Sequence, residues 1–240
     1  MMNYVALPVD VERQLSFYLA MEEYVARHVL EASDNSDLFF MWQVPPSVIF
    51  GRNQQLAAEV NVSYCREHGI RMFRRKSGGG CVYADRDNLM WSYVTKETNV
   101  NLTFHTFVNM VILVLRKLGV PAVSTTHNDI MIGDRKVCGT AFYQLPKSSI
   151  VHSTMLYDTN MEHMLHAITP SAEKLQAKGI QSVRQRITLL KDYIPQSLEQ
   201  FKSFVRETLC NGELMLSASD VAAIEALEQT YLREEFIKRM

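Results

Sequence analysis

Apolar residues recur along this chain with two periods, one near 3.6 and one near 2. Between Val11 and Leu30, the residues Val11, Leu15, Tyr18, Leu19, Ala26 and Val29 share one helical stripe, interrupted by Glu22. Leu38–Val44 and Ser47–Gly51 read as strands separated by Pro45-Pro46. Asn61 stands where a helix over Val62–His68 needs its cap, and Gly69 ends that helix. Ile70–Arg74 reads as a strand, the run Ser77–Gly80 as a tight loop, and Leu89–Thr95 as an apolar-rich segment. Phe104–Leu118 is a helix that Gly119 and Pro121 terminate. Ile130–Ile132, a turn at Gly133-Asp134 and Val137–Phe142 predict a hairpin, and Ile150–Tyr157 a further strand. From Met161 the pattern is mainly helical, with a glycine-marked break in KGIQSVRQR.

Hairpins in place of regular strand–helix–strand units predict an α+β fold with a mixed, largely antiparallel β-sheet flanked by helices. A doubly wound nucleotide fold does not fit that order. Over residues 196–240, Leu198, Phe201, Val205 and Leu209 form one stripe, and Val221, Ile224, Leu227, Tyr231 and Leu232 a broader one. These predict terminal helices packed on the core. With no internal repeat and no low-complexity linker, residues 1–240 are expected to form one domain.

Composition adds exclusions. Apolar residues at 47% and charged residues at 21% suit a soluble globular chain of 240 residues with a sizeable core. Lys and Arg total 25 against 26 Asp and Glu, so no long-range field draws nucleic acid or an anionic membrane, and neither is an expected partner. The four cysteines, Cys65, Cys81, Cys138 and Cys210, form no CxxC pair. The opening MMNYVALPVDVERQ lacks a basic-then-apolar leader, and no stretch approaches about 18 apolar residues. A cytoplasmic location is expected.

Three segments carry chemistry. In FRRKSGGGCVYADRDN, three glycines allow positive φ and expose N–H groups to an anion, while Arg74, Arg75 and Lys76 lead into them. Read alone, this is equally a phosphate or carboxylate site and a flexible surface loop. It is not a Walker loop, because the lysine precedes the glycines. In HNDIMIGDRKVCGTAF, Lys136 on a returning strand is able to reach a phosphate or acyl oxygen, or to be an ordinary exposed lysine. PSAEKLQAKGIQSVRQRI, with Lys174, Lys178, Arg184 and Arg186, reads as a solvated basic helix and turn.

Together these segments resemble lipoate–protein ligases. RRKSGGGCVYADRDNL is similar to the family's RRxSGGGxVxHDxGNL, NDIMIGDRKVCGTAF to its NDI…GKKxxGxA, HSTMLYDTNMEHML to its HGTLLxxxDLxxL, and KGIQSVRQRITLL to its KGIxSVRxRVxNL. LAMEEYV and VIFGRNQQ match its early helix and strand. The resemblance implies the biotin/lipoate ligase fold and an ATP-dependent ligase that forms lipoyl-AMP and transfers the lipoyl group to a lysine. The cofactors it implies are ATP and Mg2+, with no metal ligand assigned.

By the same resemblance, Ser77, Gly78, Gly79 and Gly80 lie over the lipoyl chain, and Arg75, Gly80, Cys81, Val82 and Tyr83 line the ATP site. Lys136 touches the α-phosphate and the acyl oxygen, Asn128 and Asp129 border the adenine or metal side, and His152 the acyl pocket. Ser171–Thr188 is the loop that closes over the adenylate. The implied acceptors are lipoyl domains of 2-oxoacid dehydrogenase complexes and the glycine cleavage H protein.

The chain departs from the family pattern at Ala84 (His in the family), Asp87 (Gly) and Ser153 (Gly). No stretch remains for the family's C-terminal accessory domain, which is expected to be missing or supplied by another chain. The alternatives are an octanoyl or lipoyl transferase of the same fold, which needs a reactive cysteine, and a non-catalytic lipoyl-binding protein.

Overall fold

The computed structural model describes residues 2–33, 36–125, 129–169 and 186–238. Strand β1 (Met2–Ala6) is followed by helix α1 (Leu15–Tyr24), which continues through a π-helical turn (Val25–Val29) into Leu30–Ala32. Next come β2 (Asp37–Trp42), β3 (Ser47–Phe50), a short turn of helix (Leu56–Glu59), α2 (Val62–Glu67), β4 (Arg71–Arg74), β5 (Val82–Ala84) and β6 (Leu89–Thr95). Helix α3 (Val100–Lys117) leads to β7 (Ala122–Ser124), β8 (Ile130–Ile132), β9 (Arg135–Leu145), β10 (Ser148–Met155) and α4 (Met161–Ala167). After a 3-10 turn (Leu190–Asp192), α5 (Leu198–Leu209), β11 (Gly212–Met215), α6 (Ala218–Leu232) and a final turn (Glu234–Ile237) close the described chain.

Eight strands form one sheet in the order β11-β1-β2-β6-β10-β9-β8-β7, and β4-β3-β5 form a smaller one. β1 runs parallel to β11 and β2, and β3 parallel to β4; the other pairs are antiparallel. The architecture is the mixed, largely antiparallel α+β arrangement that the hairpin pattern predicts.

Central strands β6 and β10 are buried at every position, because helices cover both faces of the large sheet. On one face Leu15, Leu19 and Val25 of the first helix and Ile224 and Tyr231 of α6 pack on Phe40, Trp42, Met90 and Ile150. On the other, Phe107, Val111 and Val114 of α3 and Phe201 and Val205 of α5 pack on Phe39, Trp91 and Val151. Each such fully buried side chain contributes about 1.5–3 kcal/mol. A third cluster, with Val48, Phe50, Tyr83 and Met164, lies under the small sheet.

Local signals account for the helix ends. Asn61 caps α2 through Tyr64 N, as its position in the sequence predicts. Asn99 caps α3 through Leu102 N, so that helix begins one turn before Phe104. The first helix begins at Leu15, not Val11, which stays exposed beyond an extended Gln14. The 196–240 region is not helical throughout, because Gly212–Met215 forms a strand alongside β1. Neither short strand has a local period to reveal it; each is defined by its partner.

Candidate active site

The glycine loop leaves β4 at Arg74 and is shaped from inside by arginines. Arg74 donates from Nη1 to the carbonyls of Arg52 and Gln54 and lies 4.8 Å over the Phe50 ring. Arg75 donates to Ile49 O at 3.1 Å, and through Nη2 to Gly78 O and Gly80 O, both at 2.7 Å. Its guanidinium is buried among carbonyl dipoles, and burial draws its pKa down to about 10, so it remains charged. Its donors are used on the loop's own carbonyls, which turns the loop's amides the other way. Among the described residues, the N–H groups of Gly78, Gly79 and Gly80 have no hydrogen-bond acceptor. Such outward N–H groups are suited to an anion. Gly79 has φ 89°, and a Cβ there would stand 2.9 Å from Arg75 Nη2, so both backbone and space call for glycine.

The loop sits on β9: the same Cβ position at Gly79 lies 3.9 Å from Ala141 Cβ. Lys136, on that strand, folds back over Gly139, whose missing Cβ would come 2.7 Å from Lys136 Nζ. Gly139 and Ala141 share a face and stand about 7 Å apart along the strand. The ammonium of Lys136 and the glycine loop therefore converge. Asp129 holds Lys136 Nζ at 2.6 Å and Arg186 Nη2 at 2.9 Å, with all three side chains partly exposed. The return of the chain is fixed by Thr188 N donating to Lys136 O at 2.9 Å.

His152 pairs with Ala141 across β10 and β9 and with Ser92 across β10 and β6. Its Nε2 lies 2.9 Å from Ser77 Oγ, and its Nδ1 2.9 Å from Glu22 Oε2. Ser92 Oγ donates to Glu22 Oε1 at 2.5 Å and accepts from Trp42 Nε1 at 2.8 Å. Ser77, His152, Glu22 and Ser92 are all buried, at 2%, 8%, 4% and 0% exposure.

The structure thus gathers Ser77–Gly80, Asp129, Lys136 and His152 on the sheet face beneath α1. Asn128, and 171–185 of the expected closing loop, lie outside the described residues. Val82 pairs with Ile49 at the edge of the small sheet, and Tyr83 is core. Cys81 follows the loop, and burial pushes its thiol up to about 12 against the pull of Arg75. Burial likewise pushes the Cys138 thiol up to about 12. Of the departures, Ala84 and Ser153 are buried, while the Asp87 amide bonds to Asp85 Oδ1. Sequence reasoning missed Ser92 and treated Arg186 as solvated. Glu22 did leave a signal, as the break in an apolar stripe. Among the described residues, no three His, Cys, Asp or Glu side chains are placed to hold a metal, and no helix is long and apolar enough to cross a membrane.

Residues 14–210 match the family described as the lipoyl protein ligase A/B catalytic domain. Lipoate-protein ligase LplJ of Bacillus subtilis is 35% identical over 196 residues, covering 80% of this chain and 58% of that protein. Lipoate–protein ligase 1 of Staphylococcus aureus is 34% identical over 222 residues, covering 90% of this chain and 67% of that protein. The chain spans about three fifths of the first relative's length and two thirds of the second's. A solved structure described as a bi-partite lipoate protein ligase and its E2 lipoyl domain, from Thermoplasma acidophilum, superposes with a TM-score of 0.84 at 24% identity, covering 99% of this chain and 96% of that one. A crystal structure of lipoate-protein ligase A bound with ATP superposes at 0.82 and 24% identity, with 99% of both chains covered. At these identities the superpositions establish the fold.

Proposed function

The chain belongs to the lipoyl protein ligase A/B catalytic-domain family, and from that premise we propose that it activates lipoate with ATP and passes the lipoyl group to a lysine of a lipoyl domain. The observation that carries this reading is the meeting of the glycine loop and Lys136 over Ala141 and Gly139 of one strand.

In the first half-reaction a lipoate carboxylate oxygen bonds to the α-phosphorus of ATP while the bond to pyrophosphate breaks. Two anions must approach, so the barrier is chiefly electrostatic. Lys136 supplies the fixed cation, and the amides of Gly78–Gly80 supply dipoles directed at the developing charge. Asp129 keeps Lys136 and Arg186 in place beside that point. Arg75 acts at one remove, by shaping the loop. In the second half-reaction the acceptor amine bonds to the acyl carbon and AMP leaves.

Magnesium accompanies ATP, held mainly by phosphates and water. Among the described residues beside Lys136, Asp129 is the carboxylate within reach, and two cations already engage it, so the protein's share in binding the ion is small. Lipoyl domains as acceptors, with the glycine cleavage H protein among them, follow from the family relationship. A separate accessory chain aiding activation is suggested by the bi-partite ligase that this chain resembles along almost its whole described length. A cytoplasmic setting suits four free cysteines. The thioester route of a transferase needs a thiolate, and thiols raised to about 12 at Cys81 and Cys138 oppose one.

Lipoate-dependent exchange of pyrophosphate into ATP tests activation, and synthetic lipoyl-AMP with a purified lipoyl domain tests transfer. We expect transfer by this polypeptide alone, and activation that an accessory chain strengthens. Absence of both activities, with and without that chain, overturns the reading.

A further inference from the structure

Lys76 is the third cation leading into the glycine loop, and nothing in RRKSGGG sets it apart from the two before it. Its neighbours do. Lys76 Nζ lies 2.5 Å from Glu23 Oε2 and 4.6 Å over the ring of Tyr231, whose hydroxyl donates to the same oxygen at 3.0 Å. The other oxygen of Glu23 takes Arg27 at 2.8 Å. Exposed ion pairs contribute little, but here Glu23 and Tyr231 are only 4% and 2% exposed. A cation held between an aromatic face and a buried carboxylate has one favoured position. The ammonium is therefore committed to side chains of α1 and α6.

The backbone on either side of Lys76 is seated on the end of β3. Arg75 N donates to Phe50 O at 3.0 Å, and Arg52 N donates to Ser77 O at 3.0 Å. Further on, Gly79 O stands 2.3 Å from where a Cβ on Gly51 would lie. The seat itself is held from the same end of the chain as Tyr231. Arg74 donates from Nε to Ile237 O at 3.2 Å, and from Nη1 to Gly51 O at 3.3 Å and Arg52 O at 2.9 Å. The C-terminal segment thus grips the loop at Lys76 and the loop's support at Arg74.

We propose that Lys76 and Tyr231 are positioning residues for the activation half-reaction: through them α6 holds the glycine loop in place, and neither touches substrate. The tether belongs to the geometry of this chain, while its effect on catalysis rests on the ligase reading above. The loop amides act on charge that develops as the carboxylate meets the α-phosphorus. A loop out of place therefore lowers turnover and leaves nucleotide binding nearly unchanged. Loss of a cation that binds the nucleotide itself has the opposite signature, a raised KM.

The test compares Lys76→Met, Tyr231→Leu and their combination in the full chain, with Tyr231→Phe as the conservative variant that keeps the ring. Lys76→Met and Tyr231→Leu should each lower kcat for lipoate-dependent pyrophosphate exchange about tenfold, with KM for ATP within about threefold of wild type. The double variant should lose no more than the worse single one, because both break the same contact. Tyr231→Phe should stay within about threefold. In the impaired variants hydrogen exchange at the Arg52 and Arg75 amides should quicken about tenfold, while the amides of β10 keep their wild-type rates. Losses that multiply in the double variant overturn the tether, as do unchanged Arg52 and Arg75 amides. A raised KM for ATP with kcat retained overturns it too, by making Lys76 a nucleotide ligand. If Tyr231→Leu does not fold, Lys76→Met, at a partly exposed side chain, decides through KM and the amides. A wild type inactive in both exchange and transfer overturns the ligase reading, and the amides then decide the tether alone.

Discussion

Two groups of cations stand near the same strand, and they are used in opposite ways. Arg74 and Arg75 point inward, and their donors are spent on backbone carbonyls of the loop and its surroundings. Lys136 and Arg186 are partly exposed and share one carboxylate, Asp129. In the sequence both groups read alike, as basic residues close to glycines. The contrast shows that a cation's neighbours decide its work: carbonyls on several sides make a buried guanidinium part of the scaffold, whereas one carboxylate leaves an ammonium able to engage an incoming anion.

Lys136→Ala gives the hardest test of that contrast. It should lower lipoyl-AMP formation by about 10²–10³-fold in pyrophosphate exchange, yet move the melting temperature by less than about 2 °C. A large loss of melting temperature would place Lys136 with the scaffold. Arg75→Met should do the converse, removing about 3 kcal/mol of unfolding free energy in denaturant titrations by leaving buried carbonyls without donors. Unchanged stability would mean that the loop holds its shape unaided. Within the loop, Gly79→Val forces a branched residue to positive φ against Arg75, a strain of about 1–3 kcal/mol, and should cut activation more than about tenfold. Gly78→Ala meets no atom within 4 Å and should stay within about threefold; equal losses from the two would remove backbone shape as the cause.

The smallest effect concerns Glu23, next to Glu22 on α1. Burial raises its pKa, but Lys76 at 2.5 Å, Tyr231 and Arg27 outweigh that and hold it below the usual carboxylate range. With the folded value below the unfolded one, the stabilisation is present above the unfolded value near 4.5 and fades as pH falls through the folded value. Tyr231→Phe should remove about 1 kcal/mol at neutral pH and shrink the acid-induced loss measured by denaturant titration across that window. An unchanged pH profile would show that Tyr231 contributes packing alone.

Much of this was legible beforehand, for physical reasons. Helices α2 and α3 carry their apolar periods and asparagine caps within a few residues, and the Lys136 hairpin is local. The unbonded amides of the glycine run were legible too, since glycine content dictates backbone reach. The inward aim of Arg75 was not, because nothing in RRK says which side chain faces the core. Glu22 showed only as an interruption, since its partners Ser92 and His152 lie 70 and 130 positions away. Strands β1 and β11 are too short to show a period.

Those two short strands also set a schedule for the nascent chain. β1 lies between β2 and β11, and Met2 N donates to the side chain of Asn211, 209 positions later. At about 5–20 residues per second, the ribosome takes about 10–40 s to deliver that partner. Through that interval one edge of β1 stands open beside the emerging polypeptide, with Met2 and Val5 ready to pair wrongly. The sheet face that carries Lys136 and the glycine loop can be largely assembled before β11 pairs with β1, so the folded yield in a cell should depend on what shields β1 until β11 is made.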